Sequence, residues 1–426
     1  MKKHILYLFL LPFLSSAQTT TCLDSVQAQA RAHFPLVKQQ WLLRESASTT
    51  HTALNRSYLP QVSIGVQASY QSEVTALPFQ LPFAGVTIET LAKDQYRAVG
   101  EVQQLLYDGG QVALQKEIQH RMTAVEEELV NVELQALREQ ITELYLSILM
   151  LDEQLIQTEL VSADLEAGIR RMESALRNGT AYRSQLAQLK AEALKNQQRS
   201  IELGSMREGL LKTLGLYTGI AYPKAIRLER PEALPVSEQG PSLMRPELEV
   251  FNARESLLQT QSRSTTVKAM PRLSLFGQGG YGRPGLNMLK NDFDWFYIGG
   301  ARLQWNFSAL YTLSADRKVN RLQQSLLQNQ KESYVMRAEA RLIHLRQESD
   351  KTEKLLETDK ELIALREEIM MASKAQLDNG VITPADYIRE VNAADQARQQ
   401  FTLHTLQLLR TRLQYADYTR QNNPSP

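Results

Sequence analysis

Two stretches of the chain share a pattern that decides the fold. Residues 58–71 read YLPQVSIGVQASYQ, and residues 269–282 read AMPRLSLFGQGGYG. The identical pairs, all 211 positions apart, are Pro60/Pro271, Ser63/Ser274, Gln67/Gln278 and Tyr70/Tyr281. Farther along, the dipeptide Asn-Gly occurs at 178–179 and again at 379–380, 201 positions later. Self-similarity at a long period indicates a duplicated structural unit. The chain is therefore predicted to be one unit of about 200 residues written twice.

Each stretch alternates apolar and polar residues, which is typical of a β-strand with two different faces. Pro60 ends a predicted helical stretch, residues 23–56, because the residue before a proline disfavours helix. A second strand-like run ends at Tyr107, and a loop with two prolines, residues 71–95, lies between the two runs. Each repeat is therefore predicted to hold a β-hairpin, at about residues 60–107 and about 271–307.

A very long helix is predicted to follow each hairpin. Residues 111–176 contain no proline and one glycine, and residues 309–377 contain neither. At about 1.5 Å per residue, such helices are roughly 100 Å long, which favours a coiled coil or a helical barrel. Each helix ends at an Asn-Gly pair, a good helix C-terminus. Return helices are expected at about residues 182–214 and 384–415.

The chain is predicted to have five parts. Lys2, Lys3 and the apolar run that follows them resemble a signal peptide, cleaved after Ala17. Cys22 follows Thr21 rather than a small residue, so lipidation is not expected. The parts are the signal peptide at residues 1–17, the first repeat at 18–217, a Pro-rich linker at 218–245, the second repeat at 246–420 and a disordered tail at 421–426.

Composition excludes several classes of function. The 426 residues carry a formal net charge of +1, which provides no basic field for nucleic acid. One cysteine excludes a disulfide framework and a Cys-rich zinc site. The six histidines form no zinc-protease motif, and the sequence contains neither a Walker A motif nor a serine nucleophile elbow. We therefore predict no catalytic, cofactor-binding or metal-binding residues and no enzymatic activity.

Aromatic residues gather around the strand-like runs. The candidates for an aromatic girdle at a membrane interface are Tyr70, Tyr107, Tyr281, Trp295 and Trp305. An ordinary soluble sheet core is the alternative interpretation. Four strands cannot close into a barrel alone, and lipid does not tolerate open strand edges. Two chains would supply about eight strands, and three would supply about twelve. Side chains fill the interior of a barrel with about eight strands, so a passage needs more. The alternative to a membrane barrel protein is an exported coiled-coil scaffold without a barrel.

This order of elements resembles the TolC family of bacterial outer-membrane efflux and secretion channels. The likeness extends over about residues 23–418. It rests on the strand entry Leu59-Pro60, with the less similar Met270-Pro271 in the second copy, and on the strand-to-helix corner Leu106-Tyr107-Asp108-Gly109-Gly110. It also rests on the ends of the long helices, Arg177-Asn178-Gly179-Thr180 and Asp378-Asn379-Gly380-Val381. The second copy differs at its corner, where Ser308-Ala309-Leu310 replaces the aspartate and the glycines.

The resemblance implies a homotrimer that is mainly helical with a membrane β part. Each chain would contribute four strands to a shared twelve-stranded barrel in the outer membrane, and its long helices would form an α-barrel in the periplasm. The protein would be a passive conduit without a cofactor, docked by a periplasmic adaptor and an inner-membrane transporter.

The resemblance also implies that the ends of the long helices form the periplasmic entrance. The candidate residues there are Asn178, Gly179, Asn379, Gly380, Asp386 and Arg389. Asp386 matches the outer of two family aspartates, whereas Arg389 stands where some relatives carry the second. The alternative for Asp386 is an acid at a helix start that complements the helix dipole.

Overall fold

The computed structural model describes residues 21–75, 90–232, 235–236 and 243–419. The predicted signal peptide, residues 1–17, and the predicted tail, residues 421–426, lie outside the described residues. The elements are α1 (Leu23–His33), α2 (Leu36–Arg56), β1 (Gln61–Tyr70), β2 (Asp94–Tyr107), α3 (Gln111–Arg177), α4 (Arg183–Thr218), α5 (Pro246–Ser262), α6 (Ser264–Val267), β3 (Arg272–Arg283), β4 (Asp294–Gln304), α7 (Ala309–Asp378) and α8 (Pro384–Thr419).

Each repeat therefore contains two strands, a helix of 67 or 70 residues and a return helix of 36 residues. The first helical stretch differs from the prediction of one helix over residues 23–56. It forms two helices that are interrupted at Phe34 and Pro35. Proline lacks a backbone N–H and disfavours helix at the residue before it, so Phe34 takes an extended conformation with ψ 138°.

The four strands form one antiparallel sheet in the order β1-β2-β3-β4. Ile64 pairs with Gly100, Gly100 with Gly279, and Phe276 with Gly300. Because residues directly opposite each other share a face, the register sorts the side chains into two sets. The polar face carries Ser63, Gln67, Arg97, Glu101, Gln278 and Arg302. The apolar face carries Val62, Ile64, Val66, Tyr281, Trp295 and Leu303.

The described chain divides into two compact units. One unit contains residues of Met1–Val37, Asn131–Arg245 and Tyr334–Pro426, and the other contains residues of Lys38–Val130 and Pro246–Ser333. The sheet belongs to the second unit. In the first unit, Val26, Ile141 and Leu214 are fully buried and bring α1, α3 and α4 together. The hydroxyl of buried Tyr145 lies 2.6 Å from the carbonyl oxygens of Thr21 and Glu229.

Candidate functional site

The first long helix ends in a tight left-handed turn at the predicted Asn178-Gly179 pair. Gly179 has φ 72°, a conformation that a side chain disfavours. Its N–H donates to the carbonyl of Leu176 at 3.1 Å, and the N–H of Thr180 donates to that of Ala175 at 2.9 Å. This pair of hydrogen bonds satisfies carbonyls that the helix end leaves open, as in a Schellman motif.

The second long helix ends in the same way. Gly380 has φ 73°, and the N–H of Val381 donates to the carbonyl of Gln376 at 2.9 Å. The side-chain amide of Asn379 adds a further hydrogen bond, to the carbonyl of Ala375 at 2.8 Å. A Cβ atom added to Gly179 or Gly380 would meet nothing within 4 Å. Both glycines are therefore required by the backbone conformation and not by packing.

Asp386 lies in the first turn of α8 and holds the start of that helix. Its Oδ2 accepts hydrogen bonds from the hydroxyl of Thr383 at 2.7 Å and from the N–H of Thr383 at 3.2 Å. The N–H of Asp386 is 3.3 Å from the Thr383 hydroxyl oxygen, so the two residues cap each other. Arg389 donates to the other carboxylate oxygen. Hydrogen bonds from Thr383, and then the charge of Arg389, hold the pKa of Asp386 below its ordinary value.

Two ion pairs join α3 to α7 near these turns. Arg171 contacts Asp378, and the ammonium of Lys374 lies 3.7 Å from the carboxylate of Asp164. Sequence reasoning missed both pairs. The partners are more than two hundred positions apart, and no local pattern links them.

A buried apolar cluster lies beside the turns. Tyr387 is 2% exposed and packs with Leu165, Met172, Leu189 and Val391, so three helices meet around it. Burial, and then the nearby carboxylate of Asp164, raise the pKa of Tyr387. The cluster holds the last turns of α3 against the first turns of α4 and α8.

Pro60 and Pro271 each separate a helical turn from a strand. The N–H of Leu59 donates to the carbonyl of Arg56 at 3.0 Å, and β1 begins at Gln61. In the second repeat, the N–H of Met270 donates to the carbonyl of Val267 at 3.1 Å, and β3 begins directly after Pro271. Proline provides no donor to continue the helix, so the chain turns into the sheet.

The corner from β2 into α3 is built by Asp108, Gly109 and Gly110. One oxygen of the buried Asp108 carboxylate accepts from the N–H of Gly110 at 2.9 Å, and the other from the N–H of Val112 at 2.6 Å. The two glycines have φ 71° and 87°. A Cβ atom on Gly109 would lie 2.6 Å from the Cβ of Met270, whereas one on Gly110 would meet nothing within 4 Å. Glycine is therefore required at position 109 for two reasons, the positive φ of its backbone and the close approach of Met270.

The second corner is built differently, as the sequence difference there predicts. Asn306 Oδ1 accepts a hydrogen bond from the hydroxyl of Ser308 at 2.5 Å and lies 3.2 Å from its N–H, and α7 begins at the next residue, Ala309. Asn306 was missed because it lies two positions before the place that corresponds to Asp108 in the repeat alignment. An asparagine that bonds the backbone two residues on is nevertheless a common turn signal.

The predicted girdle residues lie at the two ends of the sheet. Tyr281 and Trp295 are directly opposite each other, with ring centroids 5.0 Å apart, near the end where Tyr70 closes β1. At the other end, Trp305 stacks on Phe307 at 4.7 Å. Tyr107 joins this end because a bulge in β2 pairs it with Leu273 of the apolar face. Simple alternation along β2 would have placed Tyr107 on the polar face.

None of the described helices is long and apolar enough to cross a membrane. No group of three or more His, Cys, Asp or Glu side chains in the described part of the chain could hold a metal ion.

Three solved structures match nearly the whole chain. A membrane protein from Pseudomonas aeruginosa matches 93% of this chain over 90% of its own, with 15% identity and a TM-score of 0.71. CusC, which forms a transmembrane channel, matches 92% of this chain over 91% of its own, with 12% identity and a TM-score of 0.68. The outer-membrane channel OprN matches 94% over 90%, with 14% identity and a TM-score of 0.66. The chain has the fold of an outer-membrane channel.

This likeness concerns the fold, because the identities are low. No family model and no curated protein matches the sequence. The channel fold confirms the fold class predicted from the sequence, with four strands and very long helices in each chain. The roles of the individual residues at the helix ends and the corners stay predictions.

Proposed function

We propose that the chain is one subunit of a homotrimeric channel in the outer membrane that carries substrate from the periplasm to the outside. It would serve a tripartite efflux or type I secretion system, with a periplasmic adaptor and an inner-membrane transporter as partners. The single observation that carries this proposal is a four-stranded sheet with one exposed apolar face and with open edges at its two outer strands, β1 and β4.

The apolar face fits lipid better than water. Ile64, Val66 and Trp295 are 82%, 80% and 78% exposed, and their neighbours on this face are also mainly apolar. A contiguous apolar surface of this kind marks an interaction site or a membrane contact. The aromatic residues at both ends of the face correspond to the interfacial girdles of membrane barrels. Outer-membrane lipid is therefore the proposed solvent of this face.

The sheet edges require further chains. β1 and β4 each pair on one side only among the described residues. In lipid, every backbone N–H and C=O group needs an internal partner, so the sheet must close. Three chains with four strands each make a twelve-stranded barrel. Two chains would make a barrel of about eight strands, and side chains fill the interior of a barrel of that size. Three chains therefore suit a passage better.

The long helices support the assignment of the remaining parts. α3 and α7 continue directly from β2 and β4 and would extend the barrel into the periplasm. The turns at Gly179 and Gly380 would then form the periplasmic entrance, where the adaptor docks. The proposed activity is passive conduction, which involves no covalent chemistry and needs neither a cofactor nor nucleic acid.

Native mass measurement in mild detergent tests the proposal, together with gel mobility before and after boiling. We expect three chains per particle and a mobility shift on boiling. Ile64→Lys should abolish outer-membrane assembly, because a lysine facing mid-bilayer costs about 2–4 kcal/mol. Its matched control is Gln67→Lys, three positions away on the polar face, which should assemble normally. A stable monomer in lipid, or a water-soluble monodisperse protein, would overturn the proposal.

A further inference from the structure

Two phenylalanine rings on the polar face of the sheet each reach over a glycine of the neighbouring strand. Phe296 on β4 covers Gly280 of β3, where an added Cβ would lie 2.5 Å from the Phe296 Cζ. Phe276 on β3 covers Gly300 of β4, where an added Cβ would lie 3.2 Å from the Phe276 Cε1 and Cζ. The two arrangements are reciprocal, since each strand supplies one ring and one glycine.

An arginine lies over each ring. The guanidinium carbon of Arg97 is 5.5 Å from the centroid of Phe296, and that of Arg302 is 4.7 Å from the centroid of Phe276. Both distances are within the range of a cation–π interaction. Arg97 belongs to β2, so the Phe296 ring reaches across β3 to meet it. The side chain of any residue larger than glycine at position 280 would block that reach.

Neither guanidinium has a hydrogen bond or an ion pair among the described residues. Other arginines of the sheet are engaged: Arg272 donates to Gln111, and Arg283 pairs with Asp94. Covering a glycine with an aromatic ring explains each phenylalanine as a stabilising device. It does not explain why each ring should also hold an exposed arginine with unused donors.

The two arginines lie near opposite ends of the sheet. Arg97 is opposite Gly282, and Arg302 is opposite Ser274, eight residues earlier on β3. At about 3.4 Å per residue, the two positions are roughly 27 Å apart along the strand. Glu101 is opposite Gln278, midway between them, and Asp294 is opposite Gly282 at the outer end. The polar face therefore carries two separate positively charged positions and not one continuous positive surface.

We propose that the Arg97–Phe296 and Arg302–Phe276 pairs are two binding stations for aromatic anions along the channel lumen. The inference rests on the proposed function, in which the polar face lines the lumen and each station occurs three times. A guanidinium offers several N–H donors to a sulfonate or carboxylate, while its plane and the phenylalanine edge accept an aromatic ring. Cargo would pass from the Arg302 station to the Arg97 station on its way out.

Block of single-channel current in planar bilayers tests this inference. The probes are naphthalenedisulfonate and butanedisulfonate, which carry the same charge but differ in aromatic character. We expect naphthalenedisulfonate to block at a concentration about fivefold lower than butanedisulfonate does. A cation–π interaction in a partly exposed site accounts for a ratio of about this size. Low salt is used, because the Debye length shortens as salt is added. Equal block by the two probes would overturn the aromatic part of the proposal.

Variants separate the charge from the ring. Arg97→Gln with Arg302→Gln should weaken block by both probes about tenfold, since one charged hydrogen bond is worth about this factor. Phe276→Leu should reduce only the advantage of the aromatic probe, and Phe276→Leu combined with Phe296→Leu should remove it. Glu101→Gln, which removes a carboxylate from the same face, should strengthen block by both. Arg283→Gln, on the apolar face, is the matched control and should change neither.

Unchanged block in the double arginine variant would overturn the proposal. A calorimetric titration of the purified protein in detergent with naphthalenedisulfonate keeps the stations testable if no current is seen. Loss of that binding in the arginine variant would support the stations while the proposed channel fails. Equal binding by the wild type and the arginine variant would overturn the stations, whether or not the protein conducts.

Discussion

The Nη1 atom of Arg171 lies 2.7 and 2.6 Å from the two carboxylate oxygens of Asp378. Asp378 is the last residue of α7, where the negative end of the helix dipole disfavours an acid. The arginine of α3 supplies the compensating charge. The pair therefore ties the last turns of the two long helices to each other, beside the buried cluster around Tyr387.

We expect Arg171→Gln to loosen this tie and raise the open fraction of single channels by at most about fivefold. The limit follows from exposure, because both side chains are more than 40% exposed and such a pair is worth about 0.2–1 kcal/mol. Exchanging the partners, as Arg171→Asp with Asp378→Arg, should restore most of the wild-type behaviour. Arg170→Gln is the control, since among the described residues Arg170 pairs within its own helix, with Glu166. Identical open fractions in Arg171→Gln and Arg170→Gln would contradict the prediction.

Gly179→Val and Gly380→Val should impair efflux while the barrel still assembles in the outer membrane. A left-handed conformation costs a non-glycine residue about 1–2 kcal/mol, and more when it is β-branched. Since both sites have open space, the damage should arise from the backbone alone. Drug susceptibility and heat-modifiable mobility measure the two parts of the expectation.

Gly204→Ala and Gly209→Ala provide the controls for these turns. Both glycines lie inside α4, neither has a positive φ, and an added Cβ meets nothing within 4 Å. Each alanine should stabilise the helix by about 0.5–1 kcal/mol and leave efflux intact. Full efflux by both valine variants would remove the argument that the turns are a docking and gating end.

Asp386 and Arg389 should act in opposite directions on block of the current by divalent cations. Asp386→Ala should leave assembly intact and weaken the block, whereas Arg389→Ala should strengthen it by removing a neighbouring positive charge. Because its pKa is lowered, the Asp386 carboxylate stays charged even at pH values somewhat below its ordinary pKa. Its contribution to stability is therefore present at neutral pH and lost only as pH falls through the lowered value. An unchanged block in Asp386→Ala would leave this residue as an ordinary helix-start acid.

Gly109→Ala should disturb the corner more than Gly110→Ala does. Both substitutions strain a backbone with positive φ, by about 1–2 kcal/mol. Only at position 109 does the new methyl group also collide with Met270, which adds about 1–3 kcal/mol of overpacking. The temperature at which the assembled form dissociates on gels should fall further for Gly109→Ala. Equal temperatures for the two variants would show that the contact with Met270 yields freely.

A peptide tag inserted at Asn287 should be accessible from outside the cell. Residues 284–293 connect β3 to β4, and Leu286, Met288 and Leu289 are exposed there. Exposed loop tips tolerate insertion. Labelling of intact cells with an impermeant reagent provides the measurement. A tag reached only after the outer membrane is permeabilised would reverse the proposed orientation.

Local pattern was enough for much of the fold. The repeat, the alternation in the strand runs, the absence of proline from the long helices and the Asn-Gly ends predict elements that the structure contains. These signals depend on residues close together in the chain, where periodicity and backbone preference act directly. The break at Pro35 was also a local signal, and one helix was predicted across it in error. Asn306, which holds the turn of the second corner, was likewise visible and missed.

Only the tertiary structure decided which distant residues meet. The bulge in β2 moves Tyr107 to the apolar face, and the strand register brings Phe296 across Gly280 to Arg97. Arg171 and Asp378 meet only when two helices from different repeats lie side by side. Sequence periodicity determines the conformation of a segment and its faces, but contact between segments depends on their relative register. That register results from packing and pairing between residues up to two hundred positions apart, which no local pattern records.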